Sequence, residues 1–169
     1  MRAILLNPGP VSLSDGVRKA AVSADLCHRE PEFFNLQSRV RERLLEVYGC
    51  GGGEWAAVPL GGSGTTALEA MLTSLPDREA RLLSIENGVY GERISRIAEI
   101  HGIPFQALKH QWTEAVDFGR VEQALMAGYF THLAAVHHET TTGRLNDLAR
   151  LASLWGAQVA GLVLDAVST

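Results

Sequence analysis

From residue 55 onward, short apolar runs alternate with longer stretches that carry apolar residues every three or four positions. The runs Trp55–Leu60, Arg81–Ile85, Pro104–Leu108, His132–His137 and Val159–Leu164 are too short for buried helices and predict strands. The intervening stretches predict helices over Thr65–Ser74, Tyr90–His101, Gly119–Met126 and Asn146–Trp155. Gly128 closes the third of these helices; for the fourth, Asn146 is the expected cap and Gly156 the stop. Strands that alternate with helices imply a parallel sheet covered on both faces, hence an α/β domain of three layers. Upstream, Pro31 opens a helix with Phe33, Leu36, Val40, Leu44 and Val47 on one stripe, and Gly49 ends it. Residues 1–30 contain a Pro-Gly-Pro turn and no long period, and read as an irregular arm; Gly51-Gly52-Gly53 reads as a joint.

Composition narrows the function classes. Hydrophobic residues make up 46% and charged residues 20% of the 169, which argues for a folded core and against disorder. A net charge of −4 leaves no basic footprint for nucleic acid or an anionic membrane surface, and no apolar stretch is long enough to span a bilayer. The start of the chain lacks the apolar length of a signal peptide. Cys27 and Cys50 fit neither a metal spacing nor a disulfide framework, and the expected compartment is the reducing cytoplasm.

Four polar tags follow the predicted strands, and in a parallel sheet all four lie at the carboxyl edge, where such sheets bind ligands. Gly61-Gly62-Ser63-Gly64-Thr65-Thr66 joins a strand to a helix; its glycines admit a ligand to the backbone, and the helix start favours a phosphate. It has neither the Walker lysine nor the dinucleotide glycine spacing, so a nucleotide-binding reading is weak. A tight turn with a hydroxyl cap is the bland alternative. Asn87-Gly88-Val89-Tyr90-Gly91 offers the Tyr90 ring to a flat cofactor, or else a tyrosine that only caps the core. His137-His138-Glu139-Thr140-Thr141-Thr142-Gly143 packs hydroxyls, imidazoles and a carboxyl into seven residues; it is poorly suited to a metal, because no further ligands stand nearby. Asp165, behind Gly161-Leu162-Val163-Leu164, needs a cation or strong donors to offset desolvation. A protonated pyridine nitrogen would serve, and so would a hydrogen-bonded turn.

Taken in order, these tags resemble the class V, fold-type I pyridoxal-phosphate aminotransferases. Leu6-Asn7-Pro8-Gly9-Pro10-Val11 and Asp25-Leu26-Cys27-His28-Arg29-Glu30-Pro31-Glu32-Phe33 look like that group's opening segments. His138-Glu139-Thr140-Thr141-Thr142-Gly143 is similar to the signature of the branch acting on 2-aminoethylphosphonate, where glyoxylate-dependent relatives usually carry Gly-Glu-Ser-Ser-Thr-Gly. The resemblance implies the large domain of a fold-type I pyridoxal-phosphate-dependent transferase: an arm over 1–30, then a partial cofactor-binding domain over 31–169.

It also implies roles. Ser63, Gly64 and Thr65 would hold the phosphate of pyridoxal 5′-phosphate, Tyr90 would stack on the ring, Thr140 would bond the ring hydroxyl and Asp165 would pair with the ring nitrogen. Pro8 and Gly9 would line the substrate mouth. The implied reaction moves the amino group of 2-aminoethylphosphonate to pyruvate, giving phosphonoacetaldehyde and L-alanine, in a homodimer. A glyoxylate-dependent transaminase, or a non-catalytic cofactor-binding or interaction module, are the alternatives. No Schiff-base lysine is expected within the chain: its two lysines, Lys19 and Lys109, match no plausible position. Because the chain stops directly after an apolar strand, it reads as the N-terminal portion of such an enzyme, with later strands and the small domain outside it. The Trp55–Leu60 strand would then lack its neighbour.

Overall fold

The computed structural model describes residues 4–7, 9–23, 25–75 and 80–169. The chain divides into two compact units, Met1–Gly61 and Gly62–Thr169.

In the first unit, α1 (Asp15–Ala21) was not foreseen, because its seven residues carry too short a period to register. Ser14 caps it by accepting from the Val17 amide. Helix α2 (Pro31–Val47) runs as the stripe predicted, and Gly49 follows it at φ 65°. Much of that apolar stripe, including Leu36, Val40, Leu44 and Val47, is exposed, and no described residue of this unit is buried.

The expected strand over Trp55–Leu60 does not form. A strand exists only through ladder bonds to a neighbour; here the Ala57 carbonyl oxygen accepts from the Arg41 Nε–H instead, at 3.0 Å. Trp55, Val58 and Leu60 are exposed.

The second unit holds the α/β core. Four parallel strands, β1 (Leu82–Glu86), β2 (Phe105–Lys109), β3 (His132–Val136) and β6 (Gly161–Asp165), lie in the order β2-β1-β3-β6. Between β3 and β6, the short strands β4 (His138–Glu139) and β5 (Arg144–Leu145) form an antiparallel pair too brief to leave a pattern in the sequence. Helices α3 (Gly64–Thr73), α4 (Val89–Ile100), α5 (Phe118–Ala127) and α6 (Leu148–Leu154) complete the unit. The N-caps of α3, α5 and α6 are the side chains of Ser63, Asp117 and Asp147. Asn146, the cap expected for α6, instead turns inward, and its neighbour Asp147 accepts from the Arg150 amide at 3.0 Å.

Two apolar clusters fill the two faces of the sheet. Leu83, Ile85, Leu133 and Ala135 pack with Val121, Leu125, Leu151 and Leu154, so α5 and α6 cover one face. Leu82, Ala134, Val136 and Val163 pack with Leu68, Leu72, Ile94 and Ala98, so α3 and α4 cover the other. Alternation along a strand carries a consequence for the site. Asp165 shares parity with Val163, and so belongs to the face on which α3 and α4 begin. On that face Ser95 Oγ of α4 lies 3.0 Å from Ser84 Oγ of β1, two small side chains that let helix and strand approach closely.

His132 begins β3 with Nδ1 2.8 Å from Thr131 Oγ1 and its ring packed beside Gly161. Burial lowers its pKa below the ordinary 6.5. The unfolded chain therefore takes up a proton at His132 before the folded one does, and stability falls as pH drops through 6.5. Urea unfolding of the wild type and of His132→Gln at successive pH values should show this: the acid-side loss is expected to be shallower in the variant. Parallel profiles would rule out the histidine as its source.

Candidate functional site

At the carboxyl edge of the sheet, Ser63, Gly64, Thr65, Tyr90, Arg93, Val136, His138, Asp165, Val167 and Ser168 line one cavity of about 200 Å³. Its walls come from the start of α3, the first turn of α4, the end of β3, β4 and the tail of β6.

The phosphate-type loop is built by local chemistry. Ser63 Oγ accepts from the Thr66 amide at 3.4 Å and so forms the hydroxyl cap of α3. Gly64 opens α3 against Val167, and a Cβ there would lie 2.7 Å from Val167 Cγ2, so only glycine keeps both segments in place. Thr65 Oγ1 accepts from Arg93 Nη1 at 2.9 Å. Arg93 also lies over the Tyr90 ring, with Cζ 4.6 Å from the centroid.

The first turn of α4 has an uncommon cap. Gly88 at the N-cap has no side chain to offer. Glu139, wholly buried, reaches across from β4: its Oε2 accepts from the Tyr90 amide at 3.0 Å and the Gly91 amide at 3.2 Å. Its Oε1 accepts from the Thr141 hydroxyl at 2.7 Å. A carboxyl group in such a place is satisfied by charge-assisted bonds and by the positive end of the helix. Gly88 is needed for room alone, since its backbone is extended (φ 172°) and an added Cβ would overlap the Glu139 side chain.

Two buried amides brace the same corner. Asn87 Nδ2 donates to Asn146 Oδ1 at 2.8 Å, and Asn146 Nδ2 donates to the Val136 carbonyl at 2.8 Å.

Five of the six predicted cofactor-side residues, Ser63, Gly64, Thr65, Tyr90 and Asp165, border this one cavity. Asp165 Oδ1 accepts from the Val167 amide at 3.1 Å, so the carboxyl both makes a turn and faces the cavity, and Oδ2 has no partner among the described residues. Thr140 is half-buried and is not in the lining. Of the three threonines it alone keeps an uncommitted hydroxyl among the described residues, because Thr142 Oγ1 bonds the Glu139 carbonyl and Thr141 its side chain. Pro8 lies outside the described residues; Gly9 is exposed in the first unit. Lys109 Nζ stands 3.9 Å from Glu86 Oε2 at the end of β2, outside the lining, and Lys19 is in the last turn of α1.

Arg93 and His138 were not among the predicted site residues. Arg93 had a usable signal: three residues after Tyr90 on a helix, it shares that ring's direction. His138 Nδ1 lies 2.8 Å from the Ser168 carbonyl, which can only accept, so Nδ1 carries the hydrogen. Among the described residues, no group of three or more His, Cys, Asp or Glu could hold a metal, and no helix is long and apolar enough to cross a membrane.

This architecture is the large-domain fold of the fold-type I pyridoxal-phosphate aminotransferases. It matches pyridoxamine–pyruvate aminotransferase from Mesorhizobium loti with a TM-score of 0.86 at 25% identity, over 96% of this chain and 41% of that one. The sequence is 36% identical over 167 residues to the 2-aminoethylphosphonate–pyruvate transaminase of Pseudomonas aeruginosa, covering 98% of this chain and 44% of that protein. It is likewise 36% identical to the bifunctional phosphonoacetaldehyde hydrolase/aminoethylphosphonate transaminase of Clostridioides difficile, of which it spans 26%. No protein-family model matches the chain.

Removing the Glu139 carboxyl should orphan the buried Gly91 amide and the half-buried Tyr90 amide, at about 1–3 kcal/mol for a fully buried unsatisfied donor. Chemical denaturation should therefore rank Glu139→Ala well below Glu139→Gln, whose amide oxygen can still face the α4 turn. Gly88→Ala is expected to destabilise comparably to Glu139→Ala; a neutral Gly88→Ala would contradict the close approach described.

Proposed function

We propose that this chain supplies the phosphate-holding and ring-facing side of a pyridoxal 5′-phosphate site, in a transaminase that moves the amino group of 2-aminoethylphosphonate to pyruvate. The observation that carries the reading is the convergence of Ser63, Gly64, Thr65, Tyr90 and Asp165 on one cavity. The whole enzyme's activity rests on relatives of which this chain spans less than half.

The residues present fit the cofactor. The start of α3 presents backbone N–H groups and the hydroxyl of Thr65 to an anion. The free Oδ2 of Asp165 suits a protonated ring nitrogen, and the idle Thr140 hydroxyl suits a phenolic oxygen. When bound, the cofactor supplies an electron-withdrawing ring that carries the amino group between donor and acceptor. The chain's own residues do the rest. Ser63, Gly64 and Thr65 bind the phosphate, Tyr90 sets the plane of the ring, Thr140 bonds its hydroxyl, and Asp165 holds the proton on its nitrogen. Pro8 and Gly9 are assigned to the mouth through which 2-aminoethylphosphonate and pyruvate enter. We place the enzyme in the cytoplasm, as a homodimer, with phosphonoacetaldehyde and L-alanine as products.

Calorimetry with pyridoxamine 5′-phosphate, which lacks the aldehyde that labels surface lysines, tests the reading on the 169 residues themselves. One site per chain is expected, weakened about tenfold or more by Asp165→Ala, the scale of a lost charged hydrogen bond. No binding, or binding indifferent to Asp165 and Thr65, would refute the assignment. Borohydride reduction in the presence of pyridoxal 5′-phosphate should leave no label on peptides bordering the cavity, since Lys109 stands outside its lining. Alanine formation from 2-aminoethylphosphonate and pyruvate by these residues alone would contradict the assignment of the reactive amine elsewhere.

A further inference from the structure

The cavity holds a cation that none of the assigned roles uses. Arg93 is half-buried in the second turn of α4, and its guanidinium has two neighbours, Thr65 Oγ1 at 2.9 Å and the face of Tyr90. An arginine N–H can only donate, so Thr65 Oγ1 acts as acceptor in that bond. The hydroxyl hydrogen of Thr65 has no other partner among the described residues, and is left to donate toward whatever occupies the cavity.

We propose that Arg93 is the positioning cation of the anion cradle. It turns Thr65 into a hydrogen-bond donor, adds positive charge beside the start of α3, and so selects a ligand that carries a doubly charged phosphate or phosphonate group. The inference rests on the cofactor reading above and deepens it. Asp165 and the first turn of α3 ask for opposite ligand charges, and of the lining residues Arg93 alone carries a permanent positive charge. A guanidinium fixed by a hydroxyl and an aromatic face is preorganised, so a bound anion meets it without further ordering.

The test compares two probes on the full chain: pyridoxamine 5′-phosphate and pyridoxamine, which differ only in the phosphate. Arg93→Met is expected to weaken the phosphorylated probe about tenfold or more while leaving pyridoxamine within about twofold, and Arg93→Lys should recover part of the loss. Thr65→Val should cost less in the Arg93→Met background than in the wild type, because the arginine acts through that hydroxyl. Added salt should weaken the phosphorylated probe more steeply in the wild type than in Arg93→Met. Equal loss of both probes would reduce Arg93 to a structural role, and unchanged or tighter binding in Arg93→Met would show the guanidinium standing in ligand space; either overturns the proposal while leaving the cofactor reading intact. A wild type that prefers neither probe, or binds neither, overturns both. Should Arg93→Met not fold, the Arg93→Lys comparison and the wild-type salt dependence decide alone.

Discussion

A carboxyl group with no access to water must find donors or the fold does not close around it. Glu139 finds three: two amides of the first α4 turn and the Thr141 hydroxyl. That requirement welds the loop after β3 to the corner after β1, two segments about fifty residues apart in sequence. Because α4 starts where Glu139 pins it, Tyr90 and Arg93 emerge at a defined place beside the opening of α3. Because Thr141 and Thr142 are drawn onto the same residue, Thr140 is the one hydroxyl of the triplet left for something else. The geometry of the cavity is thus inherited from a residue that does not line it.

Strand order does the remaining positioning. The chain crosses from β1 outward to β2, returns to β3 on the other side, and continues to β6. Reversal of direction beside β1 opens a crevice at the carboxyl ends of β1 and β3, the place where open parallel sheets bind ligands. Parity along β6 then turns Asp165 to the face of α3 and α4, and α3 begins on that same face. A one-residue register slip in β6 would point the carboxyl at α5 and α6 instead.

Much of this was legible in the sequence, and the failures share a cause. The βα alternation was readable because buried parallel strands are apolar on both faces, and helix ends carried their caps in sequence. Trp55–Leu60 has the composition of a strand but no ladder partner among the described residues. Asn146 and Asp147 can both cap a helix; the choice between them was made by the buried amide of Asn87, which nothing local announces. The cavity residues were found by following polar tags at strand ends, a rule of topology. Glu139 stood inside such a tag, yet its work is defined by amides on another element, and Arg93 gains its meaning from a threonine 28 residues upstream.

Every join between neighbours in the four-stranded sheet is a crossover, and none is a hairpin. A strand of this kind cannot zip onto the one before it. It waits until an intervening helix has been made and laid down, and closure over such lengths is entropically expensive. Assembly is therefore non-local and slow relative to helical or hairpin-rich proteins of the same size. For a chain emerging from the ribosome, Leu82–Glu86 comes out long before either of its neighbours, an apolar ribbon with both edges bare. That interval, more than the finished molecule, is where this fold is exposed to aggregation.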